Sequence, residues 1–231
     1  MNCFENAISE YWLTKNEVAF SVKSNLGDEV TYHASYFYRP KSEMPLLEQT
    51  ALANAKGKIL DIGAGVGCHA LILQEEGFDV DAIEQSEVFC SIMKERGVEN
   101  VICKSVWSYN PQQQYNTIYL LMNGIGIAEN IDSLTNFISL LKTFLAPDGV
   151  IYLDSADIDY LYDELPSKQE IPYYGEIEYQ VSYQNNFDQP FEWLFIDFET
   201  LKETASALGL HASKVKEGNA NDYLAKLSLM R

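Results

Sequence analysis

Apolar and polar positions along this chain change period several times. Short runs of apolar, often β-branched residues lie near 58–62, 80–84, 100–103, 117–122 and 150–154, with stretches of helical apolar spacing between them. Strands alternating with helices in this way predict a parallel sheet joined by right-handed crossovers. Ahead of that block, residues 4–13 read as a helix, HASYFYRP as an aromatic-rich connection, and residues 42–55 as a second helix. Beyond it, Ile177, Tyr179, Val181 and Tyr183 alternate with polar residues in IPYYGEIEYQVSYQNN. That period is the mark of a half-buried antiparallel strand, so a hairpin or flap is expected as an insertion at about 165–192. A helix starting at Thr200 or the acids near it and stopped by Gly209, then strands near 212–216 and 222–229, complete the pattern.

The chemistry concentrates in KILDIGAGVGCHALIL, residues 58–73. Ile59, Leu60 and Ile62 favour a buried strand. Gly63, Gly65 and Gly67, with Ala64, let backbone approach a ligand closely, and Ala70, Leu71 and Leu73 begin an apolar helix face. A dinucleotide fingerprint needs glycine or alanine where Cys68 stands, and Asp61, two residues before the first glycine, would repel a pyrophosphate. The same acid suits S-adenosylmethionine, which carries an ammonium and a sulfonium and no phosphate. After Gly77 the run VDAI ends at Glu84, on the order of 20 residues past the loop, where nucleoside-binding folds place an acceptor for ribose hydroxyls.

From residues 55 to 154 the chain resembles the class I S-adenosylmethionine-dependent methyltransferases. KILDIGAGVG matches their first motif and DAIEQS their ribose motif; YNTIYLLMNGIGI and LLKTFLAPDGVIYLDS resemble the fourth strand and the helix, turn and fifth strand that follow. The resemblance implies an α/β, Rossmann-like three-layer sandwich with a seven-stranded, mostly parallel sheet whose last strand is antiparallel. The expected organisation is an N-terminal helical and aromatic extension over residues 1–54, acting as a lid, and a methyltransferase domain over 55–231 that carries the flap. It also implies that Asp61 and the glycine loop approach the methionine and ribose portions, that Glu84 takes the ribose, and that Gln85 reaches adenine. Asn123 and Gly124 end the fourth strand near the methionine moiety, Asn123 serving either through its amide or simply as a left-handed turn residue. After the third strand many relatives carry an acid for the adenine amino group. This chain has Ser105, Val106 and Trp107 instead, with Ser105 as a substitute acceptor and Val106 or Trp107 stacking on adenine or, for Trp107, filling core. His69 matches a residue of close relatives, at a helix start where a structural role is the ordinary one.

Charge narrows the acceptor. With 34 acids against 16 bases the formal charge is −18, and no stripe of Lys or Arg appears, so nucleic acid is disfavoured and a small-molecule methyl acceptor expected. No apolar run is long enough for a membrane span, MNCFENAISEYW lacks the cations of a signal peptide, and four scattered cysteines suit reduced thiols, so the cytoplasm is expected. Three histidines without ligand spacing, and Asp154, Asp157 and Asp159 in what reads as a solvated loop, give no reason to expect a metal.

For a hydroxyl or amine acceptor, His33, Tyr36 and Tyr38 are candidates for proton transfer by chemistry alone. Arg39 either clamps an acceptor carboxylate or snorkels over the scaffold, and Tyr173, Tyr174, Tyr179 and Tyr183 either shape a pocket or face inward from their strand. Two other classes remain open at this level: a non-catalytic S-adenosylmethionine sensor, and a nicotinamide oxidoreductase, against which Cys68 and Asp61 argue. Oligomeric state is not legible.

Overall fold

The computed structural model describes residues 1–162 and 173–230. Strand expectations between 58 and 154 are met by β3 (Ile59–Ile62), β4 (Val80–Glu84), β5 (Asn100–Cys103), β6 (Tyr115–Leu120) and β7 (Leu145–Ala156). β11 (Leu210–Glu217) and β12 (Asp222–Leu229) follow near the chain end. They form one seven-stranded sheet in the order β11-β12-β7-β6-β3-β4-β5, parallel throughout except where β12 runs antiparallel to both neighbours. This is the expected Rossmann-like sandwich with its antiparallel last strand.

Four of the six described helices, α1, α4, α5 and α6, start where a side chain satisfies a free backbone N–H. α1 (Cys3–Thr14) opens on a capping box, with Asn2 accepting from the Glu5 amide at 2.7 Å and the Glu5 carboxylate accepting from the Asn2 amide at 3.0 Å. α2 (Leu46–Ala53), α3 (Cys68–Glu75), α4 (Glu87–Arg96) and α5 (Ile131–Phe144) lie between the strands or just before them; Ser86 caps α4 and Asn130 caps α5. α6 (Phe198–Ala207) begins at Asp197, which accepts from the Thr200 amide at 2.9 Å, and ends before Gly209, whose φ of 72° takes the left-handed turn.

The sheet's two faces bury different side chains. One face packs Leu60, Ile62, Ile118 and Leu120 against α5 and α6; the other packs Ile59, Tyr119, Tyr152 and Leu121 against α2 and α3. Because side chains alternate along a strand, Asp61 shares this second face with Tyr119 and Tyr152, which lie opposite it in register across β6 and β7. Leu121 and Asp154, two positions further along, stand on that face at its carboxyl edge.

The N-terminal extension differs from its expected form. Residues between the first helix and the aromatic stretch form a hairpin, β1 (Ala19–Ser24) and β2 (Glu29–His33), turning at Gly27 with φ 97°. The hairpin pairs with the insertion: β8 (Glu176–Tyr183), β9 (Asn186–Phe187) and β10 (Phe191–Leu194) join it in a second, antiparallel sheet ordered β10-β8-β1-β2, with β9 on β8. The N-terminal hairpin and the flap thus share one sheet, while α2 packs on the parallel sheet. The flap's expected beginning near 165–172 lies outside the described residues. Among those described, no helix is long and apolar enough to cross a membrane.

Candidate active site

At the carboxyl ends of β3 and β4 the chain makes two acidic corners. Asp61 is buried, its Oδ2 has no hydrogen-bond partner, and burial pushes its pKa up to about 6 against the lowering effect of the neighbouring His69. The loop after β3 turns through Gly63, Gly65 and Gly67 at φ 68°, 55° and 81°, a conformation L side chains rarely adopt. A Cβ at Gly65 would meet nothing within 4 Å, so that stretch of backbone is open on its side-chain side. Glu84, largely buried and thereby raised in pKa, accepts from the Gly65 amide at 3.0 Å and from the Ser86 amide at 2.8 Å. One carboxylate thus ties the glycine loop to the start of the next helix, and its remaining lone pairs can still receive hydroxyl donors.

The adenine-side residues separate. Gln85 is exposed, Ser105 half-buried and Val106 buried; Trp107 is 43% exposed, with its ring 5.0 Å from that of Phe137. Trp107 therefore does not fill core, and its free face lies beyond the end of β5.

Asn123 is partly occupied. It sits in the left-handed region (φ 56°, ψ 37°), its amide nitrogen donates to the Leu194 carbonyl at 3.1 Å, and its Oδ1 accepts from the Ser155 hydroxyl at 2.8 Å. The left-handed turn geometry is present, and the side chain bridges β7 and β10 with one N–H and one lone pair still uncommitted. Gly124 follows, buried, with a would-be Cβ 3.3 Å from that of Leu120.

The four acceptor-side candidates line one hollow of about 520 Å³, together with Tyr11, Thr31, Tyr32 and Glu43; the glycine loop and Glu84 do not reach it. Their individual bonds divide them. His33 is exposed and pairs with Glu17 at 2.5 Å. The Tyr38 hydroxyl donates to the Ile8 carbonyl at 3.0 Å and its ring stacks on Trp12, which anchors α1. Tyr38 is thereby tied to α1, and His33 to Glu17 through one ring nitrogen. Arg39 is buried, not snorkelling: its Nη2 reaches the two Glu48 carboxylate oxygens at 2.6 and 2.5 Å, and it lies 3.8 Å from the centre of the Tyr36 ring. A guanidinium so paired is not free to clamp an acceptor carboxylate, and that expectation gives way.

Glu48 is a residue that sequence reading passed over. His69 Nε2 lies 2.6 Å from its Oε2, so Glu48 holds Arg39 and His69 together. Burial opposes its charge, yet His69 and Arg39 keep its pKa below the usual carboxylate value, while Glu48 and Asp61 raise that of His69 against burial. Both directions agree on a charged cluster. Its signal was available: Glu48 falls on the apolar stripe of α2, one turn before Leu52 and beside Leu47 and Ala51.

Asp154 was read as part of a solvated acidic loop, and it is not. Its Oδ2 accepts from the Asn123 backbone N–H at 3.0 Å, its Oδ1 is buried without a partner, and burial lifts its pKa to about 7. Asp157 instead accepts from the Tyr174 hydroxyl at 2.9 Å, and Tyr173 bonds Asp197 at 2.7 Å. Tyr36 lies close enough to Arg39, Glu48 and Asp154 for all three charges to act on its phenol. Among the described residues no three His, Cys, Asp or Glu side chains gather as metal ligands.

Known proteins resemble this chain in sequence and in fold. A family profile described as a methyltransferase domain matches residues 32–210. A structure of an S-adenosylmethionine-dependent methyltransferase from Bacteroides fragilis, in complex with S-adenosylhomocysteine, superposes with a TM-score of 0.91 at 39% identity, covering 100% of this chain and 95% of that one. The sugar N-methyltransferase KedS8 from Streptoalloteichus shares the fold, at a TM-score of 0.61 and 14% identity over 89% of this chain and 96% of that one. A glycine/sarcosine N-methyltransferase from Aphanothece halophytica is 26% identical over 159 residues; the match takes in 64% of this chain and 57% of the relative's length.

Proposed function

The chain belongs to the methyltransferase domain family, and from that membership we propose that it transfers the methyl group of S-adenosylmethionine to a small-molecule acceptor. The observation that carries the reading is the pair of acids at adjacent strand ends, Asp61 with an unpartnered buried oxygen and Glu84 bonded to the glycine loop. These residues fit the cofactor. Asp61 offers its free oxygen to the ammonium, Glu84 its remaining lone pairs to the ribose hydroxyls, and the open backbone at Gly65 accommodates the ligand's approach. Gln85 and the segment from Ser105 to Trp107 border the adenine side, with Trp107 presenting a free aromatic face. The bound cofactor supplies an electrophilic methyl on a sulfonium.

The protein's own contribution is to bind, orient and exclude water, effects together worth about 7–11 kcal/mol in well-placed reactions. Residues of the second sheet and of the turn around Tyr36 supply the acceptor side. The surplus of acids, −18 in formal charge, supports a small molecule over a phosphate polymer. Four cysteines that remain free thiols support a cytoplasmic setting.

Thermal unfolding with S-adenosylhomocysteine, S-adenosylmethionine and NADH in parallel tests the assignment. At ligand near 100 times its dissociation constant, stabilisation of roughly 2.7 kcal/mol raises Tm by about 5–10 °C. A shift with the adenosyl-sulfur ligands alone is expected; a shift with NADH alone refutes the reading.

A further inference from the structure

We propose that Asp154 is the acceptor-side carboxylate of this site, taking a hydrogen bond and then a proton from the nitrogen of an amine acceptor as that nitrogen is methylated. The inference deepens the methyl-transfer reading and rests on it. Three observations carry it. First, Asp154 stands at the carboxyl edge of β7 on the same sheet face as Asp61, two strands away and two residues further along, which at the usual spacings is roughly 12 Å. Asp61 and Asp154 thus bracket the edge of the face, the first on the cofactor side and the second beyond it. Second, the Asp154 carboxylate is fixed: its Oδ2 is held by the Asn123 backbone N–H at 3.0 Å, and Asn123 is itself held by Ser155 and Leu194. Third, its Oδ1 is buried and has no donor. An oriented carboxylate with one oxygen satisfied and the other, buried, lacking a donor has one strong hydrogen bond unmade, and an N–H group supplies it.

The acidity fits the same class. A pKa of about 7 for Asp154 lies within about a unit of an α-amino group's 7.7–8.0 and far below that of an aliphatic hydroxyl, so proton transfer from an ammonium is nearly balanced while transfer from an alcohol is steeply uphill. In the step itself, Oδ1 takes the proton from the acceptor nitrogen. The freed lone pair forms the N–C bond to the methyl carbon as the C–S bond breaks, and the bonding electrons remain on sulfur. The proton leaves from Asp154 to solvent with product release. The titratable groups whose charge reaches Asp154 are Glu48 from α2, His69 from α3 and Tyr36 from the turn after β2, with Arg39 against the Tyr36 ring, and Tyr223 from the opposite face of β12. Glu48, Arg39 and His69 are bonded to one another, which leaves Asp154 as the carboxylate with an open oxygen on this side.

The test uses sinefungin, an analogue of S-adenosylmethionine with an amine on carbon in place of the sulfonium methyl, so that an ammonium points where the methyl would leave. Calorimetric titration of the full chain with sinefungin and with S-adenosylhomocysteine, from about pH 6 to about pH 8, reads the ratio of the two affinities; Asp61 and Glu84 act on both ligands and drop out of it. Sinefungin's advantage should fall about tenfold, the factor of one hydrogen bond of about 1.4 kcal/mol, as pH drops through about 7 and Asp154 becomes neutral. Asp154→Asn should abolish that pH dependence and leave S-adenosylhomocysteine affinity unchanged. A ratio flat with pH in the unsubstituted protein overturns the proposal, with or without a folded variant. So does a parallel loss of both ligands in Asp154→Asn, which would make the residue structural. Failure of S-adenosylhomocysteine to bind the unsubstituted protein removes the cofactor assignment itself and the proposal with it.

Discussion

Replacing Glu48 by Ala should be among the most destabilising single changes in this protein. The side chains of Arg39, Glu48 and His69 are 2%, 4% and 7% exposed, so almost no water reaches them. Removing the carboxylate leaves a guanidinium without its counter-ion and a histidine whose raised pKa has lost its first support. Breaking a buried ion pair from one side costs about 3–5 kcal/mol, because the remaining charge keeps its desolvation penalty without its partner. For a chain of this size that is roughly 6–20 °C in Tm. Urea unfolding near pH 7 measures it directly, with an unchanged m-value showing that the native and denatured states keep their compactness. The pH dependence carries its own sign. Glu48 is lowered on folding, so its share of stability is lost as pH falls through its folded value; His69 is raised, so its share is lost as pH rises through its folded value. The gap between the unsubstituted protein and Glu48→Ala should therefore be widest between those limits and close on both sides. Simultaneous replacement of all three residues by Met, Leu and Phe should recover most of the loss, since a buried cluster gives little net stability over apolar packing. A Glu48→Ala loss under about 1 kcal/mol would refute the reasoning.

Asp61→Asn should separate stability from binding. The rise from 3.8 to about 6 corresponds to about 3 kcal/mol of cost above pH 6, so the ligand-free variant should gain up to that amount near pH 8, and the gain should vanish as pH falls through 6 towards 3.8. S-adenosylhomocysteine affinity, followed by calorimetry, should meanwhile weaken by about 1–3 kcal/mol; unchanged affinity would remove Asp61 from the site. Gly67→Ala should be costly for a local reason: at φ 81° its new Cβ would meet Val98 Cγ2 at 2.8 Å and Met93 Cγ at 3.0 Å. Left-handed strain and overpacking together give roughly 2–5 kcal/mol in urea unfolding. Gly77→Ala, at φ 91° with nothing within 4 Å, should show the conformational part alone, and equal losses at the two sites would rule out the packing contribution.

The scaffold was legible because its signals are local. The β3 run, its three glycines and the acid ending β4 lie within about 25 residues of each other, and each states its own backbone requirement. The β1–β2 hairpin was missed although AFSVKS and EVTYH flank a glycine turn. All five residues of β2 are exposed, so no buried face imposes an alternation, and only pairing with β1 keeps the segment extended. The acceptor side failed for a different reason. Asn123 is set by Leu194, 71 residues away, and by Ser155, 32 away; Arg39 by Glu48; Asp154 by burial that charge counting read as solvation. Leu194 meets Asn123 only when the second sheet closes over the first, and Ser155 only when β7 lies beside β6, so no spacing rule along the chain announces either.

That closure explains why the fold leaves the acceptor to its additions. β10 lies against the turn after β6, where Trp193 occupies the space a side chain at Gly126 would need, and Asn123 bonds across from the same turn to Leu194. On the other flank, the turn after β2 brings Tyr36 and Arg39 to Glu48 on α2. Asp154 is held between these contacts, on the parallel sheet but oriented by Asn123, whose own position depends on β10. A change at β10 can therefore re-aim the acceptor-side carboxylate through Asn123, whereas β1 and β8 pack Phe20 and Val181 in one cluster with Val66 of the glycine loop. Substitutions in β10 should therefore alter which molecule is methylated while S-adenosylhomocysteine affinity stays constant, and substitutions at Phe20 or Val181, packed with Val66, should change both.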